Sequence, residues 1–200
     1  MSLGTVLSLP FFLQIQYFHD GNSITVYKPS EEGTKSVLGN ESKDLVSDKQ
    51  GNIFFISDGT LIRYDLRKEQ FSSLQRKAAC LHVQGHDVWT ATRDSVFKWD
   101  SGKEQFSFVY RLETGLRISA LHTDGNGGLW MGTVKGLYHI DDLKNPVPVC
   151  VIPQVNVYSL YGDSRGRMWV AAYRQGMYRV EREAVYIPPF GTPMVEALRS

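Results

Sequence analysis

The sequence predicts an all-β fold, a β-propeller built from about five four-stranded antiparallel blades that form either a whole propeller or an arc of a larger one. Three observations lead to this prediction. A segment recurs about every 40 residues, its apolar residues fall in short β-branched and aromatic runs separated by turn residues, and no long stretch has helical periodicity. A period of about 40 residues is typical of propeller blades.

The recurring segment is anchored by an aromatic residue in a short apolar run. The anchors are Phe54, Trp89, Trp130 and Trp169, which lie 35, 41 and 39 residues apart. A second aromatic run follows each anchor, and a weaker copy begins near Tyr17. The chain is therefore interpreted as one propeller domain with repeats at 1–42, 43–78, 79–116, 117–155 and 156–193, while 194–200 opens or closes a blade.

Each repeat contains four predicted strands, labelled A to D from the propeller axis outward. In the fourth repeat the predicted strands are A at 118–123, B at 129–132, C at 137–140 and D near 148–152. In the first repeat, 12–18, 23–28 and 35–38 are expected to form B, C and D, with 6–9 as a candidate strand A. The tail Val195-Glu-Ala-Leu-Arg-Ser matches Ile118-Ser-Ala-Leu-His-Thr of strand A. It either closes a ring with the first repeat or opens another blade, and we favour an arc of a longer array.

The anchor aromatics have an expected structural role. A large ring in strand B fills the wedge between neighbouring blades, while the residues beside it point to the opposite face. Trp89, Trp130 and Trp169 are therefore predicted to be core residues, with Leu129 and Met131 facing the other way. Small residues that follow, Gly132 and Ala172, are expected to let the next blade approach closely.

Composition and charge exclude several functional classes. The 22 Lys and Arg residues against 21 Asp and Glu leave a formal charge of +1, which argues against direct nucleic-acid binding. The apolar runs are too short to span a bilayer, so we expect no membrane contact by this segment. Cys80 and Cys150 are interpreted as two separate buried thiols, with a single disulfide as the alternative.

Motifs that look catalytic or metal-binding are more simply interpreted as turns. Gly162-Asp-Ser-Arg-Gly matches the nucleophile motif of hydrolases, but the residues after it predict strand–turn–strand rather than a helix. Asp124-Gly-Asn-Gly-Gly begins like a calcium loop and lacks its distant Glu. His82 and His122 occupy similar positions at the end of strand A, which indicates repeated architecture. The minor alternative is that the five histidines include a metal-binding pair across the channel. We predict no catalytic residue, no metal site and no cofactor.

Two blocks resemble a known family. Asp124-Gly-Asn-Gly-Gly-Leu-Trp-Met-Gly-Thr-Val-Lys-Gly-Leu-Tyr and Asp163-Ser-Arg-Gly-Arg-Met-Trp-Val-Ala-Ala-Tyr-Arg-Gln-Gly-Met-Tyr are similar to the two-component regulator propeller repeat. The resemblance implies a periplasmic, non-catalytic sensor of a bacterial hybrid two-component system. Its histidine kinase, phosphorelay and transcription-regulating parts would lie elsewhere in the intact protein. A streptogramin-lyase-like enzyme and a generic protein-interaction propeller are the alternatives.

The predicted ligand-binding residues come from connections that emerge on one face of a propeller, the B–C turns and the links from strand D to the next strand A. Guanidinium groups, an amide and aromatic rings suit a small polar ligand such as an oligosaccharide. Neighbouring blades or domains and a second sensor chain are the other expected partners. The alternative is that these side chains only solvate the rim. The candidate residues are Arg93, Lys135, Tyr173 and Arg174 from B–C turns and Arg117 and Asn156 from D–A links.

Overall fold

The computed structural model describes residues 14–19, 22–27, 38–112, 115–124, 127–181 and 184–186. In these residues the regular elements are β-strands, which form one two-stranded and four four-stranded sheets. Each sheet pairs strands that follow one another along the chain, always antiparallel. The all-β propeller architecture is confirmed. No helix in the described part of the chain is long and apolar enough to cross a membrane.

The sheets are numbered as blades 1 to 5 in chain order. The described strands of blade 1 are β1 (Gln14–His19) and β2 (Asn22–Tyr27). Blade 2 consists of β3 (Ser42–Ser47), β4 (Asn52–Ser57), β5 (Thr60–Asp65) and β6 (Gln70–Lys77). Blade 3 consists of β7 (Cys80–Gln84), β8 (Asp87–Ala91), β9 (Ser95–Asp100) and β10 (Gln105–Arg111).

Blades 4 and 5 complete the described structure. Blade 4 consists of β11 (Ile118–Thr123), β12 (Leu129–Thr133), β13 (Gly136–Ile140) and β14 (Val149–Pro153), which confirms the four strands predicted for this repeat. Blade 5 consists of β15 (Val157–Gly162), β16 (Met168–Ala172), β17 (Gly176–Glu181) and β18 (Ala184–Tyr186).

Blade 1 matches the phase predicted for the first repeat. Strands β1 and β2 pair antiparallel, with Tyr17 opposite Ile24, where strands B and C were expected. The predicted strand at 6–9, the tail at 194–200 and the predicted strand at 35–38, apart from Leu38, lie outside the described residues. Leu38 itself is not in a strand.

The core lies between blades as layers of apolar side chains. The first strands of blades 2 to 5 contact one another in succession, β3 with β7, β7 with β11 and β11 with β15, so strand A is innermost. Phe54 of blade 2 packs edge-on against Trp99 and Phe106 of blade 3, at ring distances of 4.8 and 5.7 Å. Similar layers lie between blades 3 and 4 and between blades 4 and 5.

The anchor aromatics occupy the interblade wedge in the earlier blades. Trp89 lies in the layer between blades 3 and 4, and Trp130 lies in the layer between blades 4 and 5. Leu129 and Met131 lie in the layer on the other side of blade 4, which confirms the predicted alternation. Trp169 is half-buried like Trp130, but it lines an open groove on the far face of blade 5. No described blade packs on this face, so the expectation that Trp169 is a core residue stays a prediction.

The two cysteines are free and differ in environment. Cys80 is buried between blades, and this burial raises the pKa of its thiol to about 12. Cys150 lies exposed on β14, so the prediction of two buried thiols is wrong for this residue. Strand β14 is the outermost strand of its blade, and its side chains are covered less completely than those of β11.

Candidate ligand-binding face

The candidate residues lie where the B–C turns and the D–A links were expected. Arg93, Lys135 and Tyr173 lie in the turns that join β8 to β9, β12 to β13 and β16 to β17. Arg174 follows Tyr173 in the last of these turns, with a left-handed φ of 57°. The other two residues, Arg117 and Asn156, immediately precede β11 and β15.

Backbone hydrogen bonds tie the B–C turns of blades 2, 4 and 5 to the start of their own blades. The Val134 amide donates to the carbonyl of Arg117 at 3.1 Å, which places Arg117 beside the turn that carries Lys135. In blade 5 the Tyr173 amide donates to the carbonyl of Asn156 at 2.8 Å. Blade 2 repeats the bond between Asp58 and Glu41 at 2.9 Å. The repeat therefore builds the same turn-to-link contact in three blades.

A second set of backbone bonds links these turns to the chain that leaves each blade. The Gln154 amide donates to the Lys135 carbonyl at 2.9 Å, which places Lys135 beside the link between β14 and β15. Across the boundary of blades 3 and 4, the Ile118 amide donates to the Arg93 carbonyl at 2.9 Å. Arg93 is thereby adjacent to the link that carries Arg117. All six candidates lie at the same end of their blades.

The side chains on this face are available to solvent. Arg93, Arg117, Lys135 and Arg174 are exposed, and Tyr173 is 53% exposed. The Arg174 guanidinium lies 5.1 Å from the centre of the Tyr173 ring, which holds the aromatic plate and the cation together. Asn156 is half-buried. Guanidinium donors beside an aromatic face are suited to a hydroxyl-rich or anionic ligand.

Two residues on this face were missed by the sequence interpretation. Gln175 donates from Nε2 to the Gln154 carbonyl at 3.1 Å and accepts the Asn156 amide on Oε1 at 3.0 Å, which holds the link before β15. Arg111 pairs with Asp94 beside Arg93, at 2.9 Å. Hydrogen bonds from Ser95 and Arg111 lower the pKa of Asp94. Neither role follows from one-dimensional spacing, because each pair joins different strands or turns.

The Gly162–Gly166 segment is a turn, as predicted. It joins β15 to β16, so no helix follows Ser164, and Ser164 is exposed. The Asp163 carboxylate accepts the amides of Arg165 and Arg167, at 2.9 and 3.1 Å, and the Trp169 indole N–H at 2.9 Å. The indole bond is the largest of the contributions that hold the pKa of Asp163 well below its usual range. This aspartate organises the A–B turn.

The corresponding aspartates of other blades do the same. Asp48 accepts the amides of Gln50 and Asn52, at 2.7 and 3.0 Å, and Asp124 accepts the Gly128 amide at 3.0 Å. The carboxylate of the repeat therefore closes a turn. In the described parts of the chain, no group of three or more His, Cys, Asp or Glu side chains is arranged to hold a metal ion.

The two histidines at the end of strand A join neighbouring blades. Nε2 of His82 accepts the amide of Thr123 at 3.2 Å, and Nε2 of His122 accepts the amide of Gly162 at 3.1 Å. Their ring centres lie 4.7 Å apart. Burial lowers the pKa of both imidazoles, that of His82 to about 4. Each histidine is therefore a neutral acceptor between blades rather than a free ligand.

The family comparison locates the repeat within this geometry. Residues 152–174 match the family model described as two component regulator propeller. The matched segment runs from the end of β14 through the turn after β16, so it includes the Asp163 turn, the anchor Trp169, and Asn156, Tyr173 and Arg174 of the candidate face. The resemblance recognised in the sequence is confirmed. No curated protein matches the chain.

Solved structures share the fold. The extracellular domain of the hybrid two component system BT3049 from B. thetaiotaomicron is 19% identical with a TM-score of 0.66, over 86% of this chain and 27% of that one. The corresponding domain of BT4673 is 13% identical with a TM-score of 0.59, over 98% and 27%. PorZ, a surface component of the Porphyromonas gingivalis type-IX secretion system, is 19% identical with a TM-score of 0.59, over 84% and 30%. The chain thus spans about 27% of the first two proteins.

Proposed function

We propose that this chain is part of the extracytoplasmic sensing propeller of a bacterial hybrid two-component system, periplasmic and non-catalytic. The match of residues 152–174 to the two component regulator propeller and the fold shared with extracellular domains of such systems support this function. The kinase and the transcription-regulating output belong, in this proposal, to other parts of the intact protein.

The proposed sensing surface is the face of B–C turns and D–A links. The single observation that carries it is the repeated backbone bonding, such as Tyr173 to Asn156 and Val134 to Arg117, which brings turns and links from successive blades to one end. A ligand there contacts side chains held by different blades. Its binding energy can therefore favour one relative arrangement of the blades, or of two sensor chains, over another.

The chemistry of this surface favours a polar ligand with hydroxyl or anionic groups, such as an oligosaccharide. Tyr173 offers a ring face for stacking against a sugar, while Arg93, Arg117 and Arg174 offer hydrogen-bond donors. Lys135 adds a positive charge on the adjacent turn.

Titration of the purified chain with a panel of neutral and acidic oligosaccharides, followed by calorimetry, tests this function. For an oligosaccharide that binds the parent chain, the variant Tyr173→Ala/Arg174→Ala should weaken binding at least about tenfold. The reason is that losing an aromatic contact and a charged donor removes more than about 1.4 kcal/mol of binding free energy. Lys103→Ala is the matched control, because Lys103 is an exposed cation in the turn between β9 and β10, at the opposite end of the blade. Equal loss in both variants, or binding by neither parent nor control, contradicts the proposed face.

A further inference from the structure

The face of blade 5 that points away from blade 4 is apolar and open. The outer face of blade 5 consists of Ser159, Tyr161, Trp169, Ala171 and Met177, which with Leu160 line a groove of about 310 Å³. Strand pairing explains why they share a face, since Tyr161 lies opposite Trp169, and Ala171 lies opposite both Ser159 and Met177. Tyr161 is 66% exposed and Met177 is 47% exposed.

The same positions in blade 4 are covered by blade 5. They are Ala120, His122, Trp130, Gly132 and Leu137, which show the same cross-strand pairing. Leu137 is fully buried, whereas its counterpart Met177 is not. Blade 5 therefore presents a surface with the residue pattern of a blade boundary. The difference is that blade 5 packs on this surface of blade 4, whereas no described blade packs on blade 5.

The three described boundaries follow a rule of complementary size. The residue two positions after the anchor of one blade lies in the same packed layer as the residue that stands four positions before His82, His122 or Tyr161 in the next blade. These pairs are Ile56 with Ala78, Ala91 with Ile118, and Gly132 with Val157. A large side chain on one side meets a small one on the other, as close packing requires. Ala171 occupies this position in blade 5, so its partner should be β-branched and apolar.

We propose that residues 195–200 of this chain lie along β15 as the first strand of a further blade, with Val195 packed against Ala171. Val195 stands four residues before Arg199, as Ile118 stands four before His122 and Val157 four before Tyr161. Val195 thus supplies the β-branched side chain that the size rule demands opposite an alanine. This inference concerns the fold and is independent of the proposed ligand.

The chain between β18 and this segment is long enough for the proposed position. A strand must return from the outer edge of blade 5 to the axis, across three strand spacings of about 14 Å in total. The residues between Tyr186 and Val195 can extend to about 27 Å. The proposed strand also places Glu196 away from blade 5, because its counterpart Tyr158 is 75% exposed whereas Val157 is buried against blade 4.

Cysteine cross-linking tests the proposed contact. Ala171→Cys/Val195→Cys, in a chain that also carries Cys150→Ala, should form an intramolecular disulfide under mild oxidation, because packed β-carbons at this boundary lie within disulfide reach. Cys150 is replaced since it is exposed, and buried Cys80 is retained. Ala171→Cys/Glu196→Cys is the matched control and should remain reduced. Monomers and dimers are separated on non-reducing gels, and circular dichroism verifies that each variant retains its strands.

Each outcome decides the proposal. A disulfide within one chain in the first variant, and none in the control, supports it. Cross-linked dimers would assign the groove to a second copy of the chain and overturn the proposal. Equal cross-linking in the variant and its control, or no cross-linking in either, would show that Val195 does not pack against Ala171 and would also overturn it. Alkylation of the single variant Ala171→Cys gives an independent measure. It should be at least about tenfold slower in the full chain than in a chain ending at residue 194, since covered thiols react only through local opening. Equal rates contradict the proposal.

Discussion

Gly132 of β12 lies directly against Val157 of β15 across the boundary between blades 4 and 5. A β-carbon built on Gly132 would overlap Cγ1 of Val157, so no larger residue fits unless Val157 or the blades move. The small residue on one blade surface leaves the space that the larger side chain of the next blade fills, as close packing requires.

Gly132→Ala should destabilise the chain by about 1–3 kcal/mol, because the added methyl group overpacks this boundary. Urea unfolding measures the change. In Gly132→Ala/Val157→Ala the extra methyl meets a shortened partner, so the double variant should be more stable than the sum of the single changes predicts. Additive losses would show that the two side chains do not share one space.

Trp130→Ala should cost about 3 kcal/mol, the lower part of the range for large aromatic residues, because Trp130 is half-buried. The indole ring packs in the layer between blades 4 and 5 and stacks on His139 at 4.0 Å. Thermal and urea unfolding measure the loss. Phe108→Ala is the control, since Phe108 is 61% exposed on β10 and its removal should change stability by less than about 1 kcal/mol. Similar losses in both variants would contradict the interblade role of Trp130.

Acidification should weaken the contact between blades 3 and 4. Burial lowers the pKa of His82 to about 4 from its ordinary 6.5, so the folded state binds this proton less readily than the unfolded state. The stability contribution is therefore fully present above pH 6.5 and is lost as the pH falls towards 4, by on the order of 3 kcal/mol.

The comparison of melting temperatures from pH 7.5 to 4.5 in the parent and in His82→Gln measures this effect. The glutamine carbonyl can accept the Thr123 amide but does not titrate in this range. Carboxylates such as Asp163 contribute equally to the pH dependence of the melting temperature in both proteins. The difference between the two curves therefore gives the contribution of the His82 imidazole. Parallel curves would refute the histidine contribution.

Asp163→Ala should lower the melting temperature, because the carboxylate accepts two backbone amides of its turn and the indole N–H of Trp169. Loss of these charge-assisted bonds leaves the donors without their acceptor. The tryptophan emission should change along with the melting temperature, which ties the effect to Trp169. An unchanged melting temperature would show that water replaces the carboxylate without loss.

Ser164→Ala should leave the stability within about 0.5 kcal/mol of the parent, because Ser164 is exposed in the turn. It should also leave any hydrolysis of model esters at the level of the parent chain. Calorimetry and an esterase assay measure the two quantities, and Asp163→Ala in the same turn serves as the sensitive comparison. Selective loss of hydrolysis in Ser164→Ala would restore the nucleophile interpretation.

Local sequence patterns were sufficient to predict the repeat, the strands and most turns of this protein. The anchor aromatics and the turn residues around Asp124 and Asp163 follow local preferences that recur in each blade. Their positions can therefore be predicted from the spacing along the sequence. Alternation along β12 was predictable for the same reason, since side chains of a strand point to opposite faces. The location of the candidate face was also predictable in outline, because the B–C turns and D–A links of a propeller emerge at the same end.

Which residues pack against each blade face could be seen only in the folded chain. Trp169 has the same local sequence pattern as Trp130, yet it lines an open groove, because burial depends on the neighbouring blade rather than on the strand itself. The acceptor roles of His82 and His122, the pairing of Arg111 with Asp94 and the exposure of Cys150 also depend on contacts between segments far apart in the chain. Volume complementarity between Gly132 and Val157 exists only once two blades are packed, because each residue alone is an ordinary choice for its strand.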